Sequence, residues 1–152
     1  MKNLKLIAAF SSVSVVSGLT FAFVMNNTEE NFCKIRVGSP HLSTFFQELN
    51  DSRVVKINAY SMCTKPHSDI TLRVELWKEG VLLKRFVKGS VSNYPGVLRP
   101  NKKFYNKDTF ELCKSNRETK YFGKAFGKAL IEGEWYTATH VVKISTPVKC
   151  GT

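Results

Sequence analysis

Residues 70–77 read ITLRVELW, and the alternation of apolar and polar side chains in this stretch is nearly perfect. A period of two places successive side chains on opposite faces of an extended chain, so Ile70, Leu72, Val74 and Leu76 are expected to point inward and Arg73 and Glu75 outward. The pattern recurs. Residues 33–37 (CKIRV) form a short strand candidate ended by Gly38-Ser39-Pro40, and residues 53–63 (RVVKINAYSMC) put Val55, Ile57 and Ala59 on one face. Lys78-Glu79-Gly80 supplies a turn after which residues 81–88 (VLLKRFVK) are expected to return as an antiparallel partner. Residues 89–100, punctuated by Gly89, Pro95, Gly96 and Pro100, read as a loop. Strand material is expected again over residues 102–112, around a turn at 106–108, and over the Thr-, Val- and aromatic-rich residues 135–146. Only residues 41–50 (HLSTFFQELN) carry helix-like spacing, through Leu42, Phe45, Phe46 and Leu49.

About seven strand candidates joined by short turns predict an all-β fold, an antiparallel β-sandwich of immunoglobulin-like architecture. The interval from Cys63 to Trp77 is similar to the Cys-to-Trp spacing of immunoglobulin domains. No Tyr stands two positions before Cys113, so architecture is expected and no family is assigned.

Residues 121–133 (YFGKAFGKALIEG) contain FGKA twice, and a period of four suits either a helix face or a strand face. A helix would carry Gly123 and Gly127 in its interior, at about 1 kcal/mol each relative to Ala. A strand would set Tyr121, Gly123, Ala125, Gly127 and Ala129 on one face and Phe122, Lys124, Phe126, Lys128 and Leu130 on the other. The turn signal at Glu132-Gly133-Glu134 and the strong strand beyond it favour a hairpin. If the small residues pack inward, Phe122 and Phe126 stand outside with Lys124 and Lys128. The opposite expectation is that the phenylalanines are core, or covered by residues 41–50.

The hairpin also ranks the disulfides. Cys113 and Cys150 lie just outside its two ends, and antiparallel pairing of residues 33–37 with 53–63 brings Cys33 to Cys63. Two disulfides with that pairing are expected, with a cross-sheet Cys63 to Cys113 bridge as the alternative. An even cysteine count in a small exported domain favours bridges over free thiols, and no close C-x2-C pair suggests a metal site.

Export is read from the first residues. Lys2 and Lys5 precede an uncharged apolar run over residues 6–25, the layout of a secretory signal peptide with cleavage expected after Ala22. The run, roughly 20 residues, is also long enough to be an uncleaved N-terminal anchor. Residues 1–22 are therefore taken as signal or anchor, 23–31 as a polar linker, and 32–152 as a single domain, secreted or held outside the cytoplasm. About 130 residues suffice for one real core.

The chain carries 23 Lys and Arg against 12 Asp and Glu, a formal net charge of +11. Such an excess favours an anionic polymer, a lipid surface or an acidic protein as partner. Lys102, Lys103 and Lys107 precede Cys113, and Lys114, Arg117 and Lys120 follow it, so the region of the expected bridge to Cys150 is strongly basic. These six, with Phe122, Lys124, Phe126 and Lys128 as an adjoining stripe, are the candidate binding residues.

Chemistry is less well represented. His67-Ser68-Asp69 lists the residue types of a triad, but neighbours in sequence cannot normally adopt the geometry in which a base touches both nucleophile and acid. His41 and His140 are isolated, and no phosphate-cradling glycine loop or metal-ligand cluster occurs. No catalytic residues and no cofactor are expected. The expectation is a non-enzymatic, secreted basic binding module. Its alternatives are a toxin or antimicrobial that inserts FGKAFGKAL into membranes, an inhibitor or immunity-type protein capping an acidic partner, and, last, a small hydrolase.

Overall fold

The computed structural model describes residues 32–143 and 146–152, with the side chains of Asn50 and Lys143 left aside. The expected signal or anchor and the polar linker lie outside the described residues. Among the described residues ten strands and one short helix follow in the order β1 (Cys33–Val37), β2 (His41–Leu42), α1 (Thr44–Asn50), β3 (Val54–Cys63), β4 (Ser68–Lys78), β5 (Arg85–Tyr94), β6 (Lys103–Leu112), β7 (Ser115–Thr119), β8 (Tyr121–Ile131), β9 (Glu134–Lys143) and β10 (Val148–Gly151).

All the ladders are antiparallel. In the first sheet β3 is central, with β6 along one edge and β1 followed by β2 along the other. The second sheet runs β5-β4-β8-β9, and β7 pairs with β10 in a separate ribbon. The apolar faces of the two larger sheets share one core: Ile35 and Val37 from β1, Val55, Ile57 and Ala59 from β3, Leu72, Val74 and Leu76 from β4, and Tyr121 and Ala125 from β8. The alternation read from residues 70–77 is thus realised as a buried face of β4.

Packing of β8 explains its composition. Gly123, Ala125, Gly127 and Ala129 face the first sheet. A Cβ on Gly123 would overlap Cδ1 of Ile57, and one on Gly127 would lie 2.5 Å from Cδ1 of Ile35. The glycines therefore make room for isoleucines reaching across the core, which outweighs their intrinsic cost in a strand. Ile131 pairs with Glu134, leaving a two-residue connection in which Glu132 (φ 52°) and Gly133 (φ 87°) both have positive φ. That is the requirement of the tightest hairpin turn, whose twist matches the flanking strands.

Two disulfides, Cys33–Cys63 and Cys113–Cys150, join Cα atoms 4.0 and 4.9 Å apart. Cys33 and Cys63 are direct cross-strand partners. The second bridge fastens the β7–β10 ribbon, where Tyr121 donates its hydroxyl to the Cys150 carbonyl at 2.6 Å and Arg53 donates to the carbonyl of Lys149.

Polar contacts close the two long sides of the core. On one side Val37 N–H donates to His140 Nδ1 at 3.2 Å, giving that mid-strand histidine a structural bond from β9 to β1. On the other, Asn106 is fully buried. Its amide donates to the Leu72 carbonyl at 3.0 Å and its oxygen accepts from Ser90 Oγ at 2.8 Å and Asp108 N–H at 3.1 Å.

Three local expectations are corrected. Residues 106–108 form no turn: β6 passes straight through them with a bulge opposite Ile57 and Ala59, and the bulge sends the Asn106 side chain inward. Residues 81–84 lie outside the strand expected there, because Lys78 pairs with Arg85, and β5 instead continues through Gly89 to Tyr94. Gly89 does not break the strand, because the space above it is taken by the Phe86 ring, 3.3 Å from where its Cβ would stand. Besides these, Ser115–Thr119 and Val148–Gly151 are strands with no corresponding expectation, since neither stretch carries an alternation.

Candidate binding site

The outer face of the β5-β4-β8-β9 sheet is assembled from cross-strand rows. One row holds Phe86, Trp77 and Phe122, with Trp77 edge-on to Phe86 at 5.5 Å between centroids and stacked on Phe122 at 6.0 Å. The next sets Glu75 beside Lys124 and Val141. Beyond it come Val91, Arg73, Phe126 and Thr139, then Asn93, Thr71, Lys128 and Thr137.

Four described cations on or beside this face are held over rings. Lys124 Nζ is 4.5 Å from the Trp77 centroid, Arg73 Cζ 5.7 Å from Phe126, and Lys128 Nζ 3.8 Å from Trp135. Lys84 folds back to bring Nζ within 5.0 Å of Phe122. The attraction of a cation for the ring quadrupole fixes these side chains while leaving their outer surface open to a ligand. Glu75 is only 4% exposed, accepts from the Trp77 indole N–H at 2.9 Å and is paired with Arg73, so it orients both.

At one end of this face, where Lys78 pairs with Arg85 and Tyr121, opens a cleft of about 470 Å3. Lys78, Arg85, Lys114, Arg117 and Lys120 line it, against the carboxylates of Glu79 and Glu118. Lys78 also donates to the backbone oxygen of Thr152 and, at 3.3 Å, to its hydroxyl. Beneath the cleft Tyr121 is almost wholly buried, and that burial raises its hydroxyl above the ordinary phenol value of 10.0, with hydrogen bonds to Thr152 and Thr119 opposing the shift.

The residues singled out in the sequence divide into three groups. Lys124, Phe126 and Lys128 lie on the outer face, and Lys114, Arg117 and Lys120 line the adjoining cleft. Phe122 shares the face but is only 4% exposed under Trp77, Lys84 and Lys124, so the expectation that it stands outside is corrected. Lys102, Lys103 and Lys107 lie apart. Lys103 pairs with Met62 next to the first disulfide, whereas Leu112 pairs with Val54 at the far end of β6, and ten extended residues separate the two ends by roughly 30 Å. Lys103 sits over Tyr60 at 4.6 Å and Lys107 over Tyr105 at 5.0 Å, on the outside of the first sheet. The α1 helix covers that sheet and not β8, with Phe46 packed 4.7 Å from Phe110.

Trp77, Arg73, Trp135, Phe86, Lys78 and Arg85 complete the site and were not singled out. The outward position of Arg73 was legible, but its neighbours across β4 and β8 depend on a register that no local pattern specifies.

His67, Ser68 and Asp69 form no relay. The His67 Nδ1 lies 2.9 Å from the Lys65 carbonyl, and Ser68 donates instead to Asp69 at 2.9 Å. Among the described residues no group of three His, Cys, Asp or Glu side chains is placed to hold a metal ion. Compared with family models and with curated proteins, the sequence matches none.

Proposed function

We propose that this chain is an exported, non-catalytic binding domain of immunoglobulin-like sandwich architecture that holds an anionic or acidic partner outside the cytoplasm. The partner lies along the outer face of the β5-β4-β8-β9 sheet and into the cleft at its end. The observation that carries this reading is the set of three ring-held cations, Arg73, Lys124 and Lys128, on a rigid sheet beside five further cations in the cleft. Side chains already confined by their rings lose little freedom when an anion arrives, and the aromatic surface between them suits an amphipathic ligand. Pairing of all four cysteines supports an oxidising compartment.

Insertion of residues 121–131 as a membrane helix is not favoured, because β8 is hydrogen-bonded to β4 on one edge and β9 on the other and would have to leave both. The test is binding to dextran sulfate and to anionic vesicles over a range of salt. Affinity is expected to fall as salt rises, and to drop about tenfold in the R73Q/K124Q/K128Q variant. Binding that ignores both salt and these substitutions would reject the reading.

A further inference from the structure

Residues 79–84 join β4 to β5 beyond the Lys78 and Arg85 pair, and at their tip stand Val81, Leu82 and Leu83, exposed to 97, 91 and 77%. Other exposed apolar side chains are spread along strands, stand four apart on α1 (Phe45 and Leu49) or are single; here three consecutive ones project from a hairpin end. None of them enters the core. Connecting loops are ordinarily polar, and a contiguous apolar tip on a surface marks an interaction site. The base of the loop is fixed rather than loose, since Glu79 N–H donates to the Lys120 carbonyl at 2.9 Å and Lys78 to Thr152.

Around that base the charge is net positive, with Glu79 and Glu118 set among the cations. Lys78, Arg85, Lys114, Arg117 and Lys120 line the cleft beside the loop, Val81 is itself part of the cleft wall, and Lys84 turns back over Phe122. An apolar tip above a collar of cations matches one kind of surface, a bilayer with anionic headgroups. The tip enters the boundary between headgroups and acyl chains, about 5 to 10 Å deep, while the collar stays at the depth of the phosphates. A soluble polyanion would satisfy the collar and leave Val81, Leu82 and Leu83 in water.

We infer that residues 79–84 dock this domain onto an anionic lipid surface, with Val81, Leu82 and Leu83 as the inserted side chains and Lys78, Arg85, Lys114, Arg117 and Lys120 as the headgroup contacts. The inference rests on the proposed anion-binding reading and names its partner. Three apolar side chains are far too few to span a bilayer, so the attachment made by this loop is peripheral.

The experiment uses the oxidised full chain and vesicles of phosphatidylcholine with or without phosphatidylglycerol, with dextran sulfate as a lipid-free polyanion. An L82W variant reports depth by its fluorescence, and an L82S/L83S variant removes the two tip side chains that are exposed and lie outside the cleft lining. Expected are a blue shift of the L82W emission and its quenching by brominated acyl chains on anionic vesicles only. The double serine variant is expected to bind those vesicles at least about tenfold more weakly and dextran sulfate as the wild type does. Salt-sensitive binding of both ligands with an unmoved L82W spectrum and no loss in the serine variant would overturn lipid docking and leave anion binding standing. Absence of salt-sensitive binding to either ligand would overturn both, and equal docking on neutral vesicles would remove the role of the collar.

Discussion

At Gly123 the core leaves no room for even one methyl group, because Cδ1 of Ile57 already occupies the place of the missing Cβ. Gly123→Ala is therefore expected to destabilise the fold by about 1 to 3 kcal/mol through overpacking, although Ala suits a strand no worse than Gly. Ile57→Val, which removes that Cδ1, costs about 0.5 to 1.5 kcal/mol alone. The double variant should lose less than the two single losses together, by at least about 0.5 kcal/mol in urea unfolding. Strict additivity would mean that the two sites do not meet. Tyr121 offers a second test at this scale. Burial raises its pKa, so the folded state prefers the protonated hydroxyl and the unfolded state releases its proton first. The associated stability is complete below pH about 10 and is lost as pH rises from there through the folded-state value. Tyr121→Phe cannot titrate, so it should lose about 1 to 2 kcal/mol near neutrality with the bond to the Cys150 carbonyl, yet show a shallower alkaline decline than the wild type.

Elements differ in what holds them, and that decides which were legible beforehand. The β8–β9 hairpin announces itself through an alternating set of small residues and the turn signal Glu132-Gly133-Glu134, and from it the pairing of Cys113 with Cys150 could be reasoned. The β7–β10 ribbon is different: Ser115, Asn116, Arg117 and Glu118 are exposed on both faces, so no alternation marks them. A cross-link of sequence separation 37 and the bonds to Tyr121 and Arg53 keep that ribbon in place. Replacing Cys113 and Cys150 together by serine should cost about 3 to 4 kcal/mol on the chain-entropy account. Hydrogen exchange should quicken first in residues 114–120 and 148–152, with β3 and β4 protected until global unfolding. Uniform loss of protection would instead place the bridge within the main cooperative unit. The displaced start of β5 has a similar origin, since Val81, Leu82 and Leu83 have the composition of a strand and only the Lys78 and Arg85 pairing excludes them from one.

For the whole molecule, a net charge of +11 draws any polyanion from a distance, and that attraction alone would not require a site. The fold distributes the charge over two opposite faces. Lys34, Arg36 and Lys103 lie on strands of the first sheet, whereas Arg73, Lys124 and Lys128 lie on the second beside the basic cleft and the apolar tip. The separation follows from topology: β6, which carries Lys103, pairs with β3, so half of the basic cluster seen in the sequence belongs to the wrong sheet to join the rest. Two variants that each remove three charges, K34Q/R36Q/K103Q and R73Q/K124Q/K128Q, carry the same net charge. Their long-range attraction is equal, and both should show association slowed to a similar degree at low salt. A localised site separates them in the dissociation rate, which should rise about tenfold only in the second variant, since close contacts govern release while net charge governs encounter. Equal dissociation rates, measured on the same anionic vesicles by surface plasmon resonance, would reduce the ring-held cations to general surface charge.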